Sequence, residues 1–345
     1  MKLGYGLITC QRPPGDERSD ADLYHQAIEL AVEAERLGFD SVWLTEHHFV
    51  DDGYMPSLLA VAAAVAARTE QIEIGTGLLL APLHDPVRLA EDAATVDLLS
   101  QGRLLLGLGM GWRAEEFEVL GIPMSERRTR LIDAVAILRQ SWGDGLVTGT
   151  KRRRYPGVSV RPKPFRPGGP PIWIGAVVEP AVRRAGRIAD GYMSGDTGPA
   201  EFAEQVAWAR EGQAEAAVQR PFELSIYQPT FAWEGEDAWP LVREHHHYLN
   251  WKYEDMDEAR GRSGDPPPPP PLSRESEAEI RRHALVGTPE QVAEALLDYY
   301  DLGVTTFLIR GFDPLDDAVA YGADLIPLVR QLVAERDARP VRAAS

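Results

Sequence analysis

The sequence predicts a single closed (β/α)8 barrel, and three observations predict it. Short apolar runs of strand length alternate with stretches of helical period along most of the chain. The same helix–glycine–strand joint occurs near both ends, at Leu37-Gly38 before Val42-Trp43-Leu44 and at Leu302-Gly303 before Thr305-Thr306-Phe307-Leu308-Ile309. About eight strand–helix units can be counted, and parallel pairing through right-handed crossovers closes that number into a barrel. An open doubly wound sheet is the alternative that counting alone leaves. With 345 residues, 44% of them hydrophobic, the chain can bury one large core spanning 1–345.

The elements follow in order. The opening run Met1-Lys2-Leu3-Gly4-Tyr5-Gly6-Leu7-Ile8 is too short and too interrupted by glycine for a secretory signal and reads as the first strand. Over 21–37, Leu23, Ala27, Leu30, Ala31, Ala34 and Leu37 recur at helical spacing, with Gly38 as the stop. Strand 41–44, an alanine-rich helix over 56–68 and strand 72–75 come next. Asp85 caps a helix over 85–99 whose first position, Pro86, has no N–H to lose. Strand 103–108, helix 125–142, strand 172–175, helix 179–189, strand 192–194, helix 199–216 and strand 222–230 continue the alternation. Thr288-Pro289-Glu290-Gln291 then opens a helix with a capping box.

Two segments break the rhythm. Residues 145–171 carry Lys151-Arg152-Arg153-Arg154 and alternating Val158 and Val160, the pattern of a hairpin insertion. Residues 239–282 turn aromatic, charged and finally proline-rich, with six prolines from Pro266 to Pro271, and read as a mobile lid or as a surface loop without a role.

Charge narrows the partners. A formal net charge of -17 repels phosphate backbones and anionic lipid, so neither nucleic acid nor membrane is expected. The single cysteine, Cys10, excludes an internal disulfide and any multi-thiolate metal site, and the cytoplasm is the expected compartment.

In a barrel of this kind the chemistry sits after the strands. Those positions hold Thr45-Glu46-His47-His48-Phe49, Thr76-Gly77, Gly109-Met110-Gly111-Trp112 and Gly175-Ala176-Val177-Val178. Histidine is suited to proton work near neutrality, so His47 and His48 with Glu46 make a candidate acid–base group, the alternative being a solvated polar loop. No metal is expected: adjacent histidines diverge, no second cluster completes a site, and His245-His246-His247 fall within the irregular insertion. The glycines of 107–111 would let a backbone approach a planar ring, or else pack a tight turn. For phosphate the best cradle is the turn from Gly175 into the helix at Glu179, with Arg127 and Arg128 adding charge. Trp112, Trp173 and Tyr192 are candidate pocket walls, with aromatic core packing as the alternative.

Val42-Trp43-Leu44-Thr45-Glu46-His47-His48-Phe49, Gly75-Thr76-Gly77, His84-Asp85-Pro86-Val87-Arg88 and Ser100-Gln101-Gly102-Arg103 together resemble the α subunit of bacterial luciferase. The tail Leu285-Val286-Gly287-Thr288-Pro289-Glu290-Gln291-Val292 with Leu302-Gly303-Val304 and Phe312-Asp313 is similar to alkanesulfonate monooxygenases of the same superfamily. The resemblance implies a luciferase-like barrel that holds reduced FMN without a covalent bond, adds dioxygen to the flavin and oxygenates a small organic substrate through a peroxyflavin. It also implies a separate NAD(P)H-dependent flavin reductase as partner and a homodimer. On the same ground His47 is the catalytic histidine, expected to act as a base or hydrogen-bond partner, with Glu46 beside it and His48 toward the substrate. Thr76, Gly77, Gly109, Met110, Arg127, Arg128, Gly175, Ala176, Val177, Val178 and Ser194 are the positions that would hold the cofactor, and the Gly77–Leu78 bond falls where the family often has a non-proline cis peptide.

The chain departs from the family in places. Gly109 replaces a reactive cysteine, Met110 replaces a phosphate-contacting arginine, Val177 and Val178 replace polar residues, and Gly195 stands where a large aromatic is common. These departures keep a deazaflavin-dependent hydride-transferring enzyme, and a non-catalytic flavin-binding protein, as alternatives.

Overall fold

The computed structural model describes residues 1–234, 239–258, 260–262, 264, 266–311 and 313–338, with only the backbone of 243–246, 257, 276 and 279. Eight strands form the barrel: β1 (Lys2–Ile8), β2 (Ser41–Leu44), β3 (Glu73–Thr76), β4 (Leu104–Gly109), β5 (Ile172–Gly175), β6 (Gly191–Gly195), β7 (Glu223–Ala232) and β8 (Thr306–Arg310). Each pairs in parallel with the next, and β8 returns to β1 with Lys2 opposite Thr306, so the sheet is closed and the open-sheet alternative falls away. Short strands at Leu79–Leu80 and Leu285–Gly287 add to β4 and β7.

The helices are α1 (Asp20–Arg36), α2 (Leu58–Arg68), α3 (Pro86–Leu99), α4 (Ala114–Val119), α5 (Arg127–Trp142), α6 (Glu179–Ile188), α7 (Pro199–Ala214), α8 (Trp239–Glu258), α9 (Arg274–His283), α10 (Pro289–Asp301), α11 (Pro314–Ala320) and α12 (Ile326–Ala338). Capping explains several starts. Ser19 with Asp22 and Thr288 with Gln291 form reciprocal capping boxes, and Asp85 accepts from the N–H groups of Val87 and Arg88. The helix read from residue 56 starts instead at Leu58, where Ser57 makes no side-chain cap. The helix read from 125 starts at Arg127 after a 3-10 turn over Met124–Glu126.

Two layers fill the core. Outward-facing strand residues such as Leu3, Val42, Ile74, Leu106 and Ile226 pack against the helices. Inside the barrel Trp43 and Trp173 stack with centroids 5.2 Å apart, closed in by Leu105, Met193 and Leu308. Small residues make that stack fit: a Cβ at Gly75 would lie 2.3 Å from the Trp43 ring, and one at Gly191 2.6 Å from Trp173.

Within 145–171, Val147–Gly149 pairs antiparallel with Arg154–Val158. The irregular reading of 239–282 is corrected at its start, because residues 239–258 form the twenty-residue helix α8, which crosses the barrel mouth. Among the described residues no helix is long and apolar enough to cross a membrane, and no group of three or more His, Cys, Asp and Glu could hold a metal ion.

Candidate active site

The loop after β2 is pinned to its neighbours by backbone bonds from Thr45 N to Ile8 O and from His47 N to Met55 O, both 3.2 Å. His47 is thereby turned inward, where it is buried. Its Nδ1 lies 2.9 Å from Oε1 of Glu116, a fully buried carboxylate on α4 that also accepts the His48 N–H at 2.9 Å. The oxygen that accepts the His48 N–H is thus also placed to accept a proton from His47 Nδ1. The other carboxylate oxygen, Oε2, is buried without a partner. Three rings meet the imidazole edge-on: Tyr54 at 4.8 Å, Trp112 at 5.8 Å and Tyr253 of α8 at 5.9 Å. The Tyr54 and Tyr253 hydroxyls bond to each other at 2.9 Å.

Helix α8 is fastened over this group. Lys252, fully buried, bridges Asp51 and Asp255; Arg262 bonds the same two carboxylates, and Tyr248 donates to Asp52 at 2.9 Å. The buried Arg113 ties the carbonyls of His48 and Phe49 to that of Met256. Below α8 a cavity of about 430 Å³ opens between the ends of β1, β6, β7 and β8, lined by Leu7, Gly195, Tyr227, Tyr253 and Arg310 among others. That volume suits a small-molecule pocket. His47 is not in its wall: the Tyr253 ring lies against the imidazole and itself lines the cavity.

Several expected site residues lie elsewhere. Glu46 is corrected from an acid–base partner of His47 to a structural anchor, since its carboxylate takes the Nε2 of His48 and of His84, each at 2.8 Å, and the Leu80 N–H at 2.7 Å. Burial raises its pKa, but the two imidazoles and the Leu80 amide outweigh this and hold it at about 2. His48 bonds the Glu46 carboxylate and does not line the mouth cavity. Strand alternation decides three more cases. On β6 Met193 points into the barrel, so Tyr192 and Ser194 point out, and both hydroxyls bond Gln205 of α7. Tyr192 is thus corrected from a pocket wall and Ser194 from a ring contact. Trp173 is core, stacked on Trp43 below the mouth.

The cofactor positions divide. Thr76 donates its hydroxyl to the Gly107 carbonyl at 2.7 Å. The Gly77–Leu78 bond is cis. Gly109 and Gly175 face Leu78, which a Cβ would meet at 3.1 and 2.1 Å, so these glycines answer to close packing. Met110 is partly buried against the core, and Gly175 and Ala176 are half-buried. Val177 and Val178 are 63% and 64% exposed where α6 begins. Arg127 donates to the Gly111 carbonyl at 3.1 Å, and Arg128 is exposed. Arg184 of α6 has a buried Nε without a partner, and burial together with the charges of Arg128 and Arg187 lowers its pKa. Trp112, 39% exposed, lies against His47.

Comparison with known proteins places this geometry. The model of the luciferase-like monooxygenase family matches residues 1–306. The chain belongs to that family. It is 30% identical to the F420-dependent glucose-6-phosphate dehydrogenase of Kineococcus radiotolerans over 96% of this chain and 97% of that one. It is also 30% identical to the oxygenase component of a flavin-dependent trigonelline monooxygenase of Acinetobacter baylyi, over about half of each chain (50% and 49%). The crystal structure of the monooxygenase RslO1 from Streptomyces bottropensis superposes with a TM-score of 0.76 at 25% identity, covering 95% of this chain and 99% of the other. The luciferase-like fold thus has both flavin monooxygenases and deazaflavin-dependent oxidoreductases among its relatives.

Sequence reasoning missed Glu116, Tyr253 and Arg113. Glu116 stands 69 residues from His47 and next to a second glutamate, Glu115, so nothing local distinguished it. The available signal was Gly111 followed by a short charged helix directly after a barrel strand.

Proposed function

We propose that this protein is an FMN-dependent monooxygenase that takes reduced FMN from a separate NAD(P)H-dependent reductase and oxygenates a small organic molecule with dioxygen. The observation that carries the reading is the buried His47–Glu116 pair, walled by three aromatic rings beside a mouth cavity. The residues present fit a ring with a phosphate tail. Leu7, Tyr227 and Tyr253 offer a largely apolar chamber, and the unpartnered Nε of Arg184 with the charge of Arg128 offers an anion site on the rim.

When bound, reduced FMN would supply the electrons that activate dioxygen. The chain's own part is to hold, orient and keep dry. Glu116 fixes the tautomer of His47, which leaves Nε2 able to accept a proton or to hold one on an oxygen brought to it. Tyr54, Trp112 and Tyr253 exclude water from the imidazole, which strengthens every polar contact made there. Because Tyr253 stands between His47 and the cavity, α8 must shift to bring the two together, and α8 acts as the lid.

Deazaflavin-dependent hydride transfer is the second reading, favoured by the match along almost the whole chain to an F420-dependent dehydrogenase. Titration with reduced FMN and with reduced F420 separates the two. The first reading expects tight FMN binding, slowed or redirected reoxidation by oxygen, and label from ¹⁸O₂ in a product. Tight F420 binding with none of FMN overturns it.

A further inference from the structure

Arg310 ends β8 and so stands at the mouth of the barrel. It is half-buried, and one guanidinium N–H is given to the Leu7 carbonyl. That is its only hydrogen bond, and it makes no ion pair among the described residues. Arg310 also lines a second cavity, of about 320 Å³, which adjoins the first through Leu7, Thr9, Gln11 and Leu249 and runs between the rim and α1. Two buried polar atoms in the wall of this second chamber lack partners, the Tyr5 hydroxyl and Gln11 Oε1. The Gln11 amide is fixed by its 2.8 Å bond to Asp52.

We infer that Arg310 is the recognition group for an organic carboxylate, received where the two chambers meet, with the Tyr5 hydroxyl and Gln11 Oε1 available to its polar substituents. A guanidinium taken partly out of water without a counter-charge is costly, and a carboxylate is the planar anion its fork matches. The carboxylates nearby do not fill that role. Among the described residues Asp196 and Glu254 in the first chamber and Asp313 in the second make no ion pair with Arg310, and Asp313 caps α11 through the N–H groups of Leu315 and Asp316. The cation's field reaches the phenols of Tyr5, Tyr227 and Tyr253 and the Cys10 thiol. Burial pushes each of these pKa values up, and Arg310 pulls each back. The Arg310 site is not the rim turn of Arg128 and Arg184: β8 lies diametrically across the barrel from β4 and three strands from β5.

That the bound anion is the substrate rests on the reading above; that the site takes an anion does not. Calorimetric titration of the full chain without flavin, using benzoate and its neutral analogue benzamide, tests it. Benzoate should bind at least about tenfold more tightly than benzamide, as a charge-assisted contact implies. Arg310→Met should erase that preference and Arg310→Lys keep part of it. Equal affinity for the two probes, no benzoate binding up to concentrations on the order of 10 mM, or an Arg310→Met protein that keeps the preference overturns the proposal. Should Arg310→Met not fold, the wild-type preference and its reduction in Arg310→Lys decide. Absence of flavin binding with the benzoate preference intact would sink the functional reading alone.

Discussion

Glu116→Gln isolates the charge behind His47. The carboxylate accepts two bonds through Oε1, from His47 Nδ1 and His48 N, while Oε2 is buried with no partner. A glutamine can therefore keep its carbonyl on both donors and place its NH2 where no bond is lost, so packing is conserved and only the charge goes. A hydrogen bond to an ionised group contributes about 1.5–3 kcal/mol against about 0.5–1.5 kcal/mol for a neutral one, and losing the difference of about 1–1.5 kcal/mol on a group that works in the transition state slows turnover by about 5- to 13-fold. The assay is single-turnover oxidation with the cofactor that binds, alongside the imidazole ¹⁵N shifts of His47. In the wild type these shifts should report a proton on Nδ1, and in the variant, whose amide oxygen still accepts it, the same tautomer should persist while turnover falls. A turnover within twofold of wild type, with the tautomer unchanged, would refute the role given to Glu116.

Lys252→Met should loosen the lid, because it leaves Asp51 and Asp255 with Arg262 alone. Breaking a buried ion pair costs about 3–5 kcal/mol, more than a surface helix can hold. Amide exchange should then rise across α8 while β1 to β4 stay protected, and unchanged exchange in α8 would count against the latch. Arg128→Ala combined with Arg184→Ala should weaken FMN binding by about tenfold or more and leave riboflavin untouched; equal losses for both would dismiss the phosphate assignment. His84 supplies a pH test. Burial opposes its charge, yet the bond to Glu46 and that carboxylate's field win and raise its pKa above 6.5. A group raised in the folded state stabilises fully below its unfolded value and loses that contribution as pH rises through the folded one. Denaturant melts of His84→Gln should therefore fall further below wild type at pH 6 than at pH 9, and a gap independent of pH would contradict the linkage.

Much of the fold was legible because its signals are local. Capping at Asp85 and Thr288, the Gly38 and Gly303 stops and the periodicity of α1 depend on residues a few positions apart, and each reappears in the structure. The family was legible too, since the loop after β2 carries its motif within eight residues. The site was only half legible. His47 could be found from its place after a strand, but its partner Glu116 and its cover Tyr253 come from α4 and α8, and only closure of the barrel brings them together. Adjacent positions misled for the opposite reason. Glu46 and His48 flank His47 in sequence but bond each other and His84, and the two-residue period of β6 sends Tyr192 and Ser194 outward. Residues 239–258 read as irregular because their aromatic and charged residues serve a mouth rather than a core, so no clean apolar stripe marks the helix. The side chains of His245 and His246 lie outside the described residues.

A structure of the protein crystallised with reduced FMN under anaerobic conditions tests the central claim most directly. The account predicts the ring in the mouth cavity, with Tyr253 displaced and His47 within about 4 Å of the ring or of a water against it. A flavin bound anywhere else, with the Tyr54–Tyr253 bond and the cover over His47 intact, would contradict it.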